Sequence, residues 1–343
     1  MQPWLCPHDP DAAPPRPAFA FSGRLRHSRA TRASDRDRVA GRTYVITGAS
    51  SGIGRGVALR LATYGANVVL AARRTAVLDG LAQQVRAAGG QPLVVTTDTS
   101  DSNQMARLQQ AALQRFGRID VWINDAAVAA IGPFDAVPLR GHDRVVDVNL
   151  KGYIDGSYLA LQQFRRQGFG TLVNITSVEG KVGVPYHASY SATKFAVVGL
   201  DRALSQELRL QGLSDRIHVV SILPWGLDTP FWDHTANYSG GTPRFYTMDA
   251  PEEAVNAVVY ASIHPQKELA VGWKAKGAML GAQIWPGLAD HAAGDLVYRS
   301  QVETAPPAPA TDGALFAPVP AGTGVEGGAR ARMEREDAAR GAR

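Results

Sequence analysis

The chain has 343 residues, 45% of them hydrophobic and 20% charged, so it can bury the core of one large domain or of two small ones. Its single cysteine, Cys6, excludes an internal disulfide, and a reducing cytoplasm is the expected compartment. No apolar run reaches about 18 residues and the first residues lack an apolar core, so neither a membrane-spanning helix nor a secretory signal is predicted.

Much of the net charge of +5 lies in the two ends of the chain, in RLRHSRATRASDRDR and GGARARMEREDAARGAR. A basic balance can indicate nucleic acid or an anionic membrane as a partner. Aromatic residues do not alternate with these arginines as a base-stacking surface would need, so solvated tails are favoured and no nucleic-acid partner is predicted. The aperiodic Pro- and Ala-rich composition predicts disorder for residues 1–40 and 303–343, which leaves one domain at 41–302.

Between these ends, short β-branched runs alternate with helical periods in chain order. The predicted strands are TYVIT, ANVVLAA, PLVVTTD, IDVWIND, GTLVNITS, IHVVSILP and ELAVG. The predicted helices are GRGVALRLATYG, LDGLAQQVRAAGG, NQMARLQQAALQRFG, a long helix at roughly 140–166, one that Tyr190 opens and that ends near Gly212, and 251–262. Strands separated by helices predict an α/β fold, a doubly wound, mainly parallel sheet of about seven strands flanked by helices.

A glycine-rich loop, TGASSGIGRG, joins the first strand to its helix and places Gly48, Gly52 and Gly54 at the turn. A helix N-terminus offers free N–H groups and partial positive charge to a pyrophosphate, and glycine lets the backbone approach the phosphates closely. A plain tight turn is the alternative. The position between the first strand and its helix favours nucleotide binding in a Rossmann-type fold.

The spacing Gly-x-x-x-Gly-x-Gly resembles that of the short-chain dehydrogenase/reductase family, and the resemblance covers about residues 41–275. The stretch HASYSATKFAVVGL sets Tyr190 one helical turn before Lys194, which alone could be a polar helix face. The family also has a serine thirteen residues before the tyrosine and an asparagine in the preceding long helix, and here these are Ser177 and Asn149. The resemblance therefore implies a catalytic set of Asn149, Ser177, Tyr190 and Lys194.

That set implies an oxidoreductase that interconverts a carbonyl and an alcohol by hydride transfer from a nicotinamide cofactor. Tyr190 is expected to act as general acid in reduction and as general base in oxidation, with its pKa lowered by Lys194, which also bonds the nicotinamide ribose. Ser177 is expected to donate a hydrogen bond to the substrate oxygen. The resemblance assigns Asn149 a water that links Lys194 to solvent.

The end of the second strand distinguishes the two nicotinamide cofactors. An NAD-binding fold usually has an acid there for the ribose 2′-hydroxyl, whereas this chain has Ala72 followed by Arg73. A guanidinium suits a 2′-phosphate, so NADP(H) is predicted rather than NAD(H); the alternative is that Arg73 and Arg74 are surface charges. Asp98 matches the aspartate that the family places beside the adenine, or is an ordinary loop residue. The remaining cofactor-binding positions that the resemblance implies are Ser50, Ser51, Ile53, Asn124, Ala126, Pro224, Leu227 and Thr229, and no metal site is predicted.

Two motifs depart from the family pattern. Where the family has Asn-Asn-Ala-Gly, this chain has Asn124 followed by Asp125, Ala126 and Ala127, and Trp225 replaces the glycine after Pro224. An ionised Asp125 cannot donate hydrogen bonds and Ala127 adds a methyl group, so cofactor affinity and local stability are expected to suffer more than the chemistry. Trp225 either shapes the substrate pocket or packs against a loop. These departures motivate an alternative function, a nucleotide-binding scaffold or sensor with little turnover.

For the substrate, the sequence offers mainly the composition of the segments expected around its binding site. The family has a mobile flap over the substrate at TPFWDHTANYSGGTPRFY, and its rings here favour an apolar or aromatic carbonyl compound or alcohol, unless they only pack the loop on the core. Glu179, Lys181 and His187 could line the pocket mouth. Membrane contact by WKAKGAMLGAQIWPGLAD (273–290) is not favoured, because glycines and Pro286 interrupt its pattern. The resemblance also implies a homodimer or homotetramer.

Overall fold

The computed structural model describes residues 33–245 and 247–341, so Cys6, Tyr246 and most of the predicted N-terminal extension lie outside the described residues. The strands are β1 (Thr43–Thr47), β2 (Asn67–Ala72), β3 (Gln91–Thr96), β4 (Val121–Asn124), β5 (Ala130–Ile131), β6 (Gly170–Ile175), β7 (Ile217–Leu223), β8 (Ala236–Asn237) and β9 (Glu268–Ala270). Seven of them form one parallel sheet in the order β3-β2-β1-β4-β6-β7-β9, and β5 pairs with β8. The predicted α/β fold with a seven-stranded parallel sheet is confirmed.

The helices cover both faces of this sheet. They are α1 (Ala33–Val39), α2 (Gly52–Ala62), α3 (Thr75–Ala87), α4 (Ser102–Phe116), α5 (Leu139–Val146), α6 (Gly152–Gln167), α7 (Ala188–Leu210), α8 (Phe231–His234), α9 (Pro251–Ile263), α10 (Gly272–Ile284), α11 (Pro286–Tyr298) and α12 (Ala329–Gly341). One apolar cluster lies between the sheet and α2, α3 and α9, and a second lies between the sheet and α4, α6 and α7. All five residues of β1 are buried, as a strand covered on both faces requires.

The chain changes direction across the sheet between β1 and β4. After β3 it returns to the other side of β1, so the carboxyl ends of β1 and β4 flank a crevice. Doubly wound sheets bind their ligands at such a switch point. The loops that begin at Gly48 and Asp125 therefore face each other across the expected site.

The long helix predicted at 140–166 is divided in the structure. A π-helical turn, Asp147–Lys151, separates α5 from α6 and contains Asn149. Single π-turns inside α-helices are frequent at functional sites. Helical periodicity predicted the continuous segment, but one extra residue in a turn leaves no signal in a hydrophobic pattern.

The C-terminal segment differs from the predicted disordered tail. Residues 304–328, here called the strap, run over the carboxyl ends of the strands and lead into α12. Leu315 in the strap is fully buried, and Ala329 and Met333 in α12 are almost fully buried. The carboxylate of Asp228 accepts hydrogen bonds from the first backbone N–H groups of α12, at 2.7 Å from Ala329 N. These contacts hold the segment on the core.

Charged side chains also hold the segment. The fully buried Arg244 donates to the carbonyl of Thr304 at 2.6 Å and to Asp337 at 2.7 Å. A Pro-, Ala- and Gly-rich composition buries little apolar surface, so it predicts disorder. Here the backbone carbonyls of the segment satisfy arginines of the domain, and composition carries no information about such partners.

The predicted N-terminal extension is also partly ordered. Residues 33–39 form α1, in which Val39 is fully buried and Asp35 bonds His264 at 3.1 Å. The domain therefore begins before residue 41 among the described residues.

Candidate active site

A cavity of about 590 Å³ lies at the carboxyl ends of the central strands. All the site residues predicted from the sequence line it except Gly54, Asn124 and Asn149. Those that line it are Gly48, Ser50, Ser51, Gly52, Ile53, Arg73, Asp98, Ala126, Ser177, Tyr190, Lys194, Pro224, Leu227 and Thr229. The cavity thus joins the predicted cofactor-binding residues to three of the four predicted catalytic residues.

The glycine-rich loop packs directly on the loop that follows β4. Gly48 has a φ of 74°, and a Cβ there would lie 2.8 Å from the backbone nitrogen of Ala126. A Cβ at Gly54 would lie 2.7 Å from Oδ2 of Asp125. Side chains would collide at both positions, so the glycines are needed for this close approach. The loop in turn brings the N-terminus of α2, at Gly52, to the cavity wall.

The side chains of Ser177, Tyr190 and Lys194 converge at one end of the cavity. Tyr190 and Lys194 lie one turn apart near the start of α7, and the Lys194 Nζ is 5.4 Å from the centroid of the Tyr190 ring. Ser177 follows β6 and shares a hydrogen bond with the Tyr190 phenol. Lys194 donates to the carbonyl oxygen of Ile175 at 2.8 Å, which fixes its ammonium group beside the phenol.

Burial controls the protonation of this pair. Removal from water raises the pKa of Tyr190 well above its ordinary value, and the negative charge of Glu179 raises it further. Burial also lowers the pKa of Lys194 to about 8. The expected lowering of the Tyr190 pKa by Lys194 is therefore not found, because burial outweighs the hydrogen bond from Ser177.

Asn149 is fully buried behind this end of the cavity. Its Oδ1 accepts from the backbone N–H of Val128 at 2.9 Å, and its Nδ2 donates to the carbonyl oxygen of Val128 at 2.8 Å and to Thr193 at 3.4 Å. The side chain thus fixes the loop after β4, next to the cavity residues Ala126 and Ala127. Val128 thus bonds both ends of the amide, and the water-holding role expected for Asn149 stays a prediction.

At the other end of the cavity, two arginines follow β2. Arg73 donates to the carbonyl oxygens of Ala314 at 2.6 Å and Leu315 at 3.2 Å in the strap. Arg74 donates to Ser50 Oγ at 3.0 Å and Ser51 Oγ at 2.9 Å. Burial lowers the pKa of both arginines, so these guanidinium groups are partly desolvated.

Strap carbonyls complete the surroundings of Arg74. Its Nη1 donates to the carbonyl oxygens of Val319 and Ala321, both at 3.1 Å, and of Gly322 at 3.3 Å. The backbone N–H of Gly52 donates to the carbonyl oxygen of Gly324 at 2.9 Å. The strap therefore supplies neutral oxygen acceptors at donors that are suited to phosphate oxygens.

Asp98 is held beside these arginines by Arg144. The guanidinium of Arg144 lies 2.6 Å from Oδ2 of Asp98, and Ser100 donates to Oδ1 at 2.8 Å. Burial opposes ionisation of Asp98, but these hydrogen bonds outweigh it and lower the pKa of the carboxyl. Arg144 also donates to Leu315 O at 2.8 Å, so Asp98 belongs to the group that holds the strap.

Residues 42–238 match the family model of the short chain dehydrogenases. The chain belongs to the short-chain dehydrogenase family. An uncharacterized oxidoreductase of Bacillus subtilis, YxnA, is 34% identical over 276 residues, which cover 79% of this chain and 77% of that protein. The 3beta-hydroxysteroid dehydrogenase 1 of Eggerthella lenta is 34% identical over 236 residues, covering 65% of this chain and 87% of that protein.

Solved structures of this dehydrogenase family have the same fold. An alcohol dehydrogenase from the archaeon Thermococcus sibiricus, complexed with 5-hydroxy-NADP, superposes with a TM-score of 0.58 at 25% identity and covers 67% of this chain and 95% of that one. A putative short-chain dehydrogenase/reductase from Burkholderia xenovorans gives a TM-score of 0.62 at 25% identity, covering 70% and 98% of the two chains. Among the described residues, no helix is long and apolar enough to cross a membrane.

Asp125, one of the departures from the family motifs, contacts the glycine-rich loop. Asp125 lies at the cavity wall, and its Oδ2 accepts the backbone N–H of Gly54 at 2.8 Å. Desolvation raises the pKa of this carboxyl to about 7. Asp125 thus places an acidic group at the N-terminus of α2, where the family has an asparagine.

Trp225 lines the cavity and also packs the flap. Its Nε1 donates to the carbonyl oxygen of Thr247 at 3.0 Å, and its ring lies 5.5 Å from that of Phe245. Phe245 stacks on Trp232 at 6.0 Å, and Phe231 lies 5.6 Å from Tyr190. Both interpretations of Trp225 therefore hold, since its indole fixes the flap over the catalytic end.

Two predicted cofactor residues lie away from the cavity. Asn124 is buried within the sheet, where it donates to Asn174 at 2.8 Å and accepts from Trp122 at 2.8 Å. Gly54 packs below the loop and bonds Asp125. Both residues thus support the loops and the sheet around the cavity, and the motif alone does not separate such residues from those that line the cavity.

Of the three charged residues expected at the pocket mouth, two line the cavity and one does not. Glu179 and His187 line the cavity and lie 3.0 Å apart, and Glu179 also accepts from Ser191 at 2.7 Å. Lys181 instead pairs with Glu268 at 2.9 Å. Glu179 therefore brings negative charge close to Tyr190 while its own oxygens are hydrogen bonded.

Three groups of residues line the cavity although the sequence alone does not predict them there. Arg74 was weighed only as a surface charge, and the strap was predicted to be disordered. The helices α10 and α11 also line the cavity, through small and apolar side chains. Glycines and Pro286 interrupt the amphipathic pattern over the two helices together. Within α11 alone, however, the apolar residues form one helical stripe, which is a usable signal.

Proposed function

We propose that this protein is an NADP(H)-dependent oxidoreductase that interconverts a carbonyl and an alcohol, with Tyr190 as the general acid/base. The observation that carries the proposal is the convergence of Ser177, Tyr190 and Lys194 on a cavity whose other end holds the glycine-rich loop. One enclosed site could thus align a carbonyl oxygen with a proton donor and a carbonyl carbon with a hydride donor.

Each side chain has a separate task in the proposed reduction. The bound cofactor supplies the hydride to the carbonyl carbon. Tyr190 breaks its O–H bond and gives the proton to the carbonyl oxygen, while Ser177 donates a hydrogen bond where negative charge develops. The raised pKa of Tyr190 keeps the phenol protonated at neutral pH, so it holds the proton that the reduction requires. Lys194 holds positive charge beside the phenolate that forms.

The cofactor end fits a phosphorylated dinucleotide. Gly48, with a φ of 74°, and Gly52 bring the start of α2 to the cavity wall, where the Gly52 N–H group would suit a pyrophosphate once the Gly324 carbonyl releases it. Ala72 brings no carboxylate to the end of β2, and Arg73 and Arg74 bring two guanidinium groups. The complex of the Thermococcus sibiricus enzyme with 5-hydroxy-NADP also supports NADP(H).

Replacement of the phenol tests the catalytic role. We predict that Tyr190→Phe lowers kcat by about 100-fold or more, because the substitution removes the hydroxyl that gives its proton to the carbonyl oxygen, while NADPH affinity changes little. Steady-state kinetics and a fluorescence titration measure the two quantities. Tyr158→Phe, at a side chain that is 64% exposed, is the matched control and should change neither. Substantial turnover in Tyr190→Phe would exclude the proposed role.

A nucleotide-binding scaffold remains the second candidate function. The observation in its favour is that strap carbonyls bond Arg73, Arg74 and the Gly52 N–H group, which are the donors a cofactor would use. A folded protein that binds NADPH but reduces no carbonyl compound in a broad screen would favour the scaffold.

We further propose that the chain forms a homodimer or homotetramer through α6 and α7. Ile154 and Tyr158 on α6 and Phe195 on α7 are large apolar side chains with 44%, 64% and 44% exposure. Association would bury this apolar surface. A monomeric mass by light scattering at micromolar concentration would contradict the proposal.

A further inference from the structure

The catalytic end of the cavity continues onto a hairpin of two helices, α10 and α11. This hairpin follows β9 and lies outside residues 42–238, which match the family model. Its lining residues are Gly277, Ala278, Gly281, Trp285, Leu288, Ala289, Ala292, Ala293, Leu296 and Val297. All of them are apolar, so the wall opposite Tyr190 offers no charged side chain from the hairpin.

The periodicity of these residues is helical on both helices. Gly277 and Gly281 are four apart on α10, and a Cβ at either would meet no atom within 4 Å. On α11 the lining positions recur in pairs four apart from Leu288 to Val297, as one face of a helix requires. Nine residues of α-helix extend over about 13 Å. The hairpin therefore gives the cavity an extended apolar wall, in which glycines and alanines alternate with larger apolar side chains.

The mouth of this channel keeps large apolar side chains in water. Trp285 is 64% exposed and Leu288 is 67% exposed, although both line the cavity. A ligand that covered them would gain from the removal of apolar surface from water. A polar ligand would gain nothing from such a wall.

The charged groups near the channel are already paired. Among the described lining residues of the catalytic end, Glu179 and His187 bond each other at 3.0 Å. Lys274, near the start of α10, bonds the carbonyl oxygen of Thr247 at 2.8 Å and Asp249 at 2.5 Å. Arg73 and Arg74 belong to the opposite end of the cavity. The hairpin residues that line the cavity include no cation, so a carboxylate or phosphate on the substrate would find no cationic partner on this wall among the described residues.

We propose that α10 and α11 form a binding channel for a long, uncharged apolar chain attached to the reacting carbonyl or carbinol carbon. Gly277 and Gly281 on α10 and Ala289 and Ala292 on α11 determine how long a chain is accepted, because larger side chains would fill the channel. The inference rests on the proposed function, since the reacting group must reach Tyr190.

A series of straight-chain aldehydes tests the channel in the full-length protein with NADPH. We expect kcat/KM to rise from butanal to octanal to dodecanal, by up to about fourfold for each added methylene that is buried. Gly281→Leu and Ala292→Leu should each lower the ratio of dodecanal to butanal activity by about tenfold or more, because each leucine enters the channel. Gly287→Leu, on the same hairpin but outside the cavity, should leave the whole series unchanged.

Binding of dodecan-1-ol to the same variants separates this inference from the proposed function. Calorimetry should show tighter binding of dodecan-1-ol than of hexan-1-ol to the parent and to Gly287→Leu, with the difference reduced in Gly281→Leu and Ala292→Leu. Turnover of butanal without any dependence on chain length would overturn the channel and leave the oxidoreductase. Hairpin-dependent binding of dodecan-1-ol without turnover of any aldehyde would overturn the oxidoreductase and leave the channel. Circular dichroism confirms that the variants are folded.

Discussion

Asp125 is one of the residues at which this chain departs from the family motifs, and its ionisation destabilises the folded state. Its carboxyl has an ordinary pKa of 3.8 and a folded-state pKa of about 7, because desolvation disfavours the anion. Between these values the folded state binds more protons than the unfolded state, so stability falls as the pH rises from 4 to 7. Above pH 7 the full cost is present. Lys194 lies close enough to lower the Asp125 pKa, but only in part.

We predict that Asp125→Asn raises the free energy of unfolding at pH 8 by about 1–2 kcal/mol and has little effect at pH 4. The estimate is well below the full value of the pKa shift, since the carboxyl is only partly buried at the cavity wall. An asparagine oxygen can still accept the Gly54 N–H group. Urea unfolding at the two pH values measures the effect.

The matched control is Asp290→Asn, at an exposed position on α11, which should show no such pH-dependent gain. A gain of equal size at pH 4 and pH 8 for Asp125→Asn would contradict the electrostatic explanation. It would point instead to better packing of the amide against the glycine-rich loop.

Arg73 and Arg74 are the side chains to which we attribute the proposed preference for NADP(H). We predict that either Arg73→Ala or Arg74→Ala weakens NADPH binding by about 10-fold or more and NADH binding much less, because only NADPH carries the 2′-phosphate. Titration with each cofactor measures both affinities. Arg86→Ala, an exposed arginine on α3, removes the same charge and should not discriminate between the cofactors. Equal losses for both cofactors would mean that these arginines serve only to hold the strap.

Among the larger elements, the strap forms part of the cavity wall at the end that contains Arg73 and Arg74. Leu315 anchors it in a cluster with residues that include Val128, Val145 and Ala236. The carbonyl oxygen of Leu315 accepts hydrogen bonds from both Arg73 and Arg144. Leu315 therefore anchors the strap with its side chain and bonds the two arginines with its backbone. Entry and exit of a cofactor beneath this segment would require these carbonyl contacts to open.

We predict that Leu315→Ala lowers the free energy of unfolding by about 2–4 kcal/mol, through loss of buried methyl groups and the cavity left behind. We also expect faster NADPH association and dissociation, because the strap is held less firmly. Chemical unfolding and stopped-flow fluorescence measure the two effects. Phe316→Ala, at the next residue and 44% exposed, is the control. Unchanged NADPH kinetics in a folded Leu315→Ala protein would show that the strap does not limit exchange.

The limits of sequence-based prediction also differ between elements. The strand β1 and the helix α2 were predictable, since a buried β-branched run and a glycine turn each have a direct local cause. The cofactor role of Asn124 stays a prediction, and Arg74 is considered from the sequence only as a surface charge, because a motif does not tell which way a side chain points. The strap and α12 were missed, because tertiary hydrogen bonds from Arg244 and Arg74 hold a segment whose own composition predicts no core.

At the scale of the whole molecule, one cavity has two chemically different ends. The guanidinium groups of Arg73 and Arg74 and the N-terminus of α2 stand at one end, and the apolar hairpin of α10 and α11 stands at the other. Ser177, Tyr190 and Lys194 lie between them. In the proposed function, this polarity would orient an anionic cofactor and an apolar substrate toward each other across Tyr190. Two segments that follow β9 line the cavity: the strap at the end with Arg73 and Arg74, and the hairpin of α10 and α11 at the other end.

The most direct test of the central claim is a fluorescence titration of the full-length protein with NADPH and, separately, with NADH. We predict saturable binding of NADPH with a Kd at least about tenfold lower than that of NADH, because Arg73 and Arg74 would bind the 2′-phosphate in the proposed site. A preference for NADH would contradict the assigned role of Arg73 and Arg74. Binding of neither cofactor by a folded sample would contradict the oxidoreductase itself.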